Sequence, residues 1–261
     1  MFFFLSIANS FIVHASHFSH TEEKKIKLAC ISVLGYIPEK KTLDKMLFYY
    51  QKKELDSLNS LFLNSPHFYK NLEDKSRYLY LNGVSRKYMI EKLGDFFYLY
   101  STNEKDSLKQ AFFFDEYKKL EILVMVATNS KRLGKINGLS IYKSIFDNAI
   151  YREINMGTFN YVVSLFENLY NRKPTQYEIE QSISILENNQ GILFGKKVNR
   201  DAYLETILFN FEFIENQLKL WYSTINMKNL EEDKLIEIIS NKNIANIEEI
   251  ITISLNELWA S

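Results

Sequence analysis

The chain from Ile26 to Leu72 reads "IKLACISVLGYIPEKKTLDKMLFYY…LFLNSPHFYKNL", and from Val162 to Leu218 it reads "VVSLFENLYNRKPTQYEIEQSISIL…ILFNFEFIENQL". Each stretch is an apolar run at helical spacing, a short break closed by proline, and a second helix starting near Thr or Glu. A gap and a third helix carrying an aromatic follow. In the first stretch Ile26, Ala29, Cys30, Val33 and Leu34 form the apolar stripe. Gly35 can end that helix, and Pro38 blocks its continuation. In the second, Phe159, Val162, Val163, Phe166 and Leu169 form the stripe. Thr175 and Glu178 have the spacing of a capping box, with Pro174 expected just inside the new helix. An internal repeat points to architecture before chemistry.

Setting Pro38 against Pro174 aligns the two stretches. Ile26 pairs with Val162, Cys30 with Phe166, Val33 with Leu169, Leu43 with Ile179 and Leu47 with Ile183. The later copy then has a longer loop, "ENNQGILFGKKVN". Beyond it Phe62 pairs with Ile207, Ser65 with Asn210 and Phe68 with Phe213. The matches are almost all apolar, which describes a shared core and not a shared catalytic set.

Composition agrees with long helices. Only 8 Gly and 3 Pro occur in 261 residues, too few for a protein of many tight turns. Hydrophobic residues make up 46%, enough for a packed core. Lys+Arg and Asp+Glu are 32 each, so there is no basic excess to hold nucleic acid. Near-neutrality also leaves little repulsion between copies or partners. Cys30 is the single cysteine, and its apolar neighbours predict a buried, inert thiol.

The first fifteen residues resemble a secretory signal peptide, with Val13 and Ala15 placed for cleavage after Ala15. The alternative is an apolar strap on the domain. His14, His17 and His20 share a helical spacing, but nothing nearby completes a metal site. Residues 16–73 are then the first repeat unit, 74–157 a central helical segment, 158–226 the second unit and 227–261 amphipathic C-terminal helices. Those last helices either dock on the body or form a tail for a partner. The expected fold class is all-α, a multi-helix bundle of two related three-helix units with an amphipathic helical C-terminus.

No phosphate-binding, dinucleotide-binding, zinc-protease or nucleophile-elbow run is present. His67 reads as a surface residue at a helix start. Acidic pairs such as Asp115 with Glu116, and Glu212 with Glu215, read as solvated faces. "YREINMG", with Arg152 and Glu153, reads as a polar cluster joining the central segment to the repeat. The aromatic clusters "FFYLY" and "FFFDEY" read as packing residues, with an apolar-ligand groove as the alternative.

"LYNRKPTQYEIE…ILFNFEFIE" resembles the R-x-P-T-x-x-E…L-x-x-S-x-E-F signature of small helical domains in exported bacterial proteins, the linker domain of phycobilisomes among them. The resemblance covers the second stretch and, more weakly, the first. It implies protein–protein assembly and not catalysis. Arg172, Pro174, Thr175, Glu178 and Phe213 carry it, with Arg172 and Glu178 as an ion pair bracing the turn. Pro38 and Phe68 are the matching residues of the first copy. There Tyr36 stands at the arginine position and Thr42 at the glutamate, so no such brace is expected. The implied protein is a non-enzymatic structural or adaptor component of a cell-envelope or cell-surface assembly. It would be exported to the periplasm or surface, would need no cofactor, and would have other protein subunits as partners. The alternative is a helical binding protein for a peptide, lipid or glycan.

Overall fold

The computed structural model describes residues 20–126, 136–241 and 244–261. The expected signal segment, with His14 and His17, lies outside them, and so does the start of the "GKING" loop. The described chain is all-α apart from one two-stranded hairpin.

Four helices open it. They are α1 (His20–Ala29), which runs into a π-helical turn (Cys30–Leu34), α2 (Lys40–Gln51), α3 (Leu55–Leu63) and α4 (Pro66–Tyr80). The central segment holds α5 (Arg86–Thr102), α6 (Ser107–Met125), α7 (Gly138–Phe146) and α8 (Ala149–Ile154). A second group of four follows: α9 (Thr158–Tyr170), α10 (Gln176–Asn188), α11 (Arg200–Leu208) and α12 (Phe211–Asn226). Strands β1 (Gly191–Leu193) and β2 (Lys196–Val198) separate α10 from α11. The chain closes with α13 (Glu232–Asn241) and α14 (Ile247–Ala260).

The units therefore contain four helices each, not the three expected. The third helix expected in the later unit breaks at Phe209–Asn210, because the Asn210 side chain accepts the Glu212 N–H (2.8 Å) and caps a new helix. Ser65 does the same for His67 N–H (3.3 Å) at α4. The expected boundary at residue 73 falls inside α4. Helix starts correspond in the register of the prolines before the longer loop, and in a shifted register after it. Lys40 corresponds to Gln176, Leu55 to Arg200, and Pro66 to Phe211. Both first helices end on a left-handed residue, Gly35 (φ 78°) and Asn171 (φ 53°). Gly35 also needs its missing Cβ, which would lie 2.8 Å from Asn71 Oδ1. Pro174 lies just before the helix and not within it, since Thr175 is the cap.

The loop expected in the second unit is an antiparallel hairpin pairing Leu193 with Lys196 and Gly191 with Val198. Phe194 (φ 49°) and Gly195 (φ 74°) form its two-residue turn, as the right-handed strand twist requires. Phe194 packs toward Phe166 and Tyr170, so the insertion covers the apolar side of α9.

Helix α7 is the hub, packed by α4, α6, α11 and α14. Ile141, Tyr142, Ile145 and Phe146 are all buried on it. The C-terminal helix α14 is a core element and not a free tail. Ile250, Ile251, Leu255, Leu258 and Trp259 are buried, mainly against α12 and α3. Trp259 Nε1 donates to Asn59 Oδ1 (2.9 Å), and Asn59 donates to Asn256 (2.8 Å), so α3 and α14 are joined by a small polar network. Glu248 accepts the Gly138 N–H (2.8 Å) at the start of α7, where the helix dipole favours negative charge. Contact there is close: a Cβ on Gly138 would lie 2.7 Å from Ile247. Cys30 is fully buried beside Met46, and burial pushes its pKa up to about 12, which makes the thiol inert.

Candidate functional site

The residues of the signature converge at one joint. Thr175 accepts the Glu178 N–H (3.2 Å) and Glu178 Oε2 accepts the Thr175 N–H (2.7 Å), closing the capping box. The Arg172 guanidinium then forks onto both Glu178 oxygens (2.9 and 2.7 Å). It forks equally onto Glu212, at 2.5 and 2.8 Å. Bidentate pairing of this kind fixes orientation as well as energy. Burial works to raise the Glu178 pKa, but Arg172 and Thr175 bring it below the ordinary value. Hydrogen bonds to Glu212 and Glu178 raise that of Arg172. The guanidinium also lies 5.3 Å from the Phe166 ring centre. Glu212 was expected on a solvated face, yet it is the third member of the brace. The E of S-x-E-F marks it in the sequence, but only the fold brings α12 beside the α9–α10 turn. Phe213 is buried under that joint against Tyr142, and Phe68 is fully buried in the first unit. Both are core residues.

The first unit fills the same positions differently. Tyr36 stands for Arg172 and His67 for Glu212, and the two rings meet with centres 4.4 Å apart. An aromatic contact thus replaces the ion pair. Besides the Ser65 and Asn210 caps, one more polar contact is common to both units. Asn71 on α4 donates to Val33 O (3.0 Å) and Ser32 O (3.1 Å) at the end of the first helix. Asn216, its counterpart on α12, donates to Leu169 O (3.2 Å) at the matching place. The carbonyls left open at a helix C-terminus need such donors. An apolar alignment alone passes over this asparagine.

A second charged group lies in the central segment. Glu116 is fully buried on α6, not solvated as expected, and accepts from Arg152, Lys119 (3.2 Å) and the Ala149 N–H (2.7 Å). Asp147 also takes Arg152 (2.8 Å) and Lys119 (2.9 Å). Burial acts to lower the Lys119 pKa, but Asp147 and Asp115 hold it above the ordinary value. Arg152 therefore ties α8 to α6, beside a cleft whose far wall is Arg200, Asp201, Tyr203 and Leu204 of α11. Each carboxylate in this group has a cation on it, the arrangement of a structural ion cluster. The carboxylate whose pKa is pushed up by burial, to about 7, is Glu73. It is fully buried on α4 and paired with Arg77 (2.9 Å). Among the described residues no group of three or more His, Cys, Asp or Glu converges to hold a metal ion. No described helix is long and apolar enough to cross a membrane.

The two aromatic clusters occupy a helical hairpin, α5 packed along α6, with α6 resting on α7. They are only partly the packing residues expected. Phe96 is buried and faces Phe113. Phe97, Tyr98, Phe112 and Phe114 are 41–65% exposed. On one side Phe97 meets Tyr117 (5.7 Å) and Tyr100 meets Phe114 (5.1 Å), forming a continuous ring surface. Neighbouring charges are paired within the hairpin, Lys118 with Glu121 (2.8 Å) and Lys87 with Glu91 (3.8 Å). An exposed apolar patch of this kind marks an interaction surface more often than a fold requirement. Comparison with protein families, curated proteins and solved structures finds no match to this chain.

Proposed function

We propose that this protein is a non-enzymatic adaptor that joins other protein subunits through the α5–α6 hairpin. The observation that carries the reading is the row of exposed rings on Phe97, Tyr98 and Phe114, backed by the half-buried Tyr117 and set on a helical pair that meets the body mainly through α6. Aromatic side chains offer a large contact area at a small entropy cost, so they dominate interface energetics. The two four-helix units serve as a duplicated scaffold, and α7 and α14 fasten them together. The charged groups that α6 turns to the cleft beside α11, Asp115, Glu116 and Lys119, are all engaged in ion pairs. The resemblance of the Arg172–Glu178 turn supports placing the assembly in the bacterial envelope or at the cell surface.

The test is a pair of substitutions, Phe97→Ser with Phe114→Ser, in the full chain. Both rings are exposed, so the melting temperature is expected to hold within a few degrees. A photo-crosslinker at Tyr98 should capture a protein partner in cells, and the double variant should lose the adduct. An adduct that survives the double variant, or one that forms equally from a crosslinker at Ile192 on the β-hairpin, rejects the reading.

A further inference from the structure

Between α4 and α12, above Tyr142 of α7, lies a cleft of about 470 Å³. Its walls are largely apolar, with Leu72 and Tyr142 deep inside and Leu79 and Leu220 at the mouth. The aromatic clusters play no part in it. Two polar groups stand on its wall. The Trp221 indole is 3% exposed, and its N–H makes no hydrogen bond. By contrast, the Trp259 indole N–H is used on Asn59. The Tyr142 hydroxyl nearby donates to Gln217 (2.8 Å) and keeps a lone pair, but it lies outside hydrogen-bond geometry with the indole. A buried donor left open is unfavourable, so its retention calls for an explanation.

The second group is Lys75. Its ammonium is half-buried, 4.9 Å from the Trp221 ring centre, and it donates to Ser32 O (2.8 Å). No carboxylate among the described residues pairs with it. Asp74, the acid on the rim, is held by Lys70 and Arg77. The Ser32 carbonyl, left open near the end of the first helix and shared with Asn71, holds the ammonium in place. A fixed cation over the face of an indole whose N–H is open thus lies on the wall of an apolar cleft. Their complement is a single carboxylate on an apolar body.

We propose that this cleft binds a small amphipathic carboxylate, an aliphatic or arylalkyl acid. Its oxygens accept from Lys75 Nζ and Trp221 Nε1, and its tail lies on Leu72, Leu79 and Leu220. A neutral or cationic amphiphile leaves both donors unmet and is rejected for that reason.

The experiment titrates decanoate into the full chain and follows the two indole N–H signals by nitrogen-15 NMR, with Trp221→Phe to assign them. Decanoate should shift the Trp221 signal and leave that of Trp259 in place. Decanol should bind at least about tenfold more weakly, the value of one charge-assisted hydrogen bond. Lys75→Met should remove the preference for the acid. Leu220→Glu, on the exposed rim where the fold is not at stake, should repel the acid by about the same factor. The proposal is overturned if the Trp221 signal does not move, if decanol binds as well as decanoate, or if decanoate binds both variants as it binds the unsubstituted chain.

Discussion

The two four-helix units share helix starts, a left-handed residue before the proline turn, and an asparagine that clamps the end of the first helix. They differ in almost every other polar contact. Arg172 with Glu178 and Glu212 stands where Tyr36, Thr42 and His67 stand in the first unit. Leu218 stands where Glu73 does, Leu220 where Lys75 does, and Trp221 where Ser76 does. The frame is therefore set by backbone geometry and apolar burial, and its polar fittings can be exchanged. The exchanges on α4 and α12 also place a lysine and an indole across one cleft, so the differences between the units create a feature that neither has alone.

The comparison breaks most sharply in the core. Phe68→Ala and Phe213→Ala remove matching rings, and each is expected to cost about 3–5 kcal/mol. Similar losses of melting temperature from the two variants fit one shared frame. A loss confined to one of them means that the units are not equivalent supports.

Glu73 is the next largest asymmetry. Burial raises its pKa to about 7 against an ordinary 4.5, and Arg77 offsets only part of that. Between those values the folded chain holds a proton that the unfolded chain has released, so stability falls as pH rises through the window. Above pH 7 the ionised group costs up to about 3 kcal/mol. Denaturant melts of Glu73→Gln should be flatter than those of the unsubstituted chain from pH 5 to 8, with the variant more stable at pH 8. Identical pH profiles dismiss the buried charge.

The smallest expected difference lies at the joints themselves. Arg172→Met strands two carboxylates and should cost about 1–3 kcal/mol. Tyr36→Ala loses one exposed aromatic contact, about 0.5–1.5 kcal/mol. The double change Tyr36→Arg with His67→Glu should recover a coupling between those positions in a double-mutant cycle. Zero coupling shows that the first unit cannot seat the ion pair.

Much of the fold is readable from residue spacing. The proline breaks, the Thr175–Glu178 box and the apolar stripes locate α1, α2, α9 and α10 to within a few residues. The break at Asn210 is missed because "ILFNFEFIENQL" is apolar at helical spacing through the cap, and a one-residue cap does not disturb periodicity. The β-hairpin is missed because its turn is Phe194–Gly195, without the Asn-Gly that usually signals such a turn. Glu116 and Glu212 read as solvated because helical spacing places an acid on a face without saying what covers that face.

The sequence by itself determined the all-α class and the pairing of Arg172 with Glu178, since each depends on residues close in the chain. Tertiary structure alone decided that α14 is core and that α5–α6 presents its rings outward. It also decided that Lys75 faces Trp221. These depend on which distant surfaces meet, as when Asn59 meets Trp259, and local periodicity carries no information about such encounters.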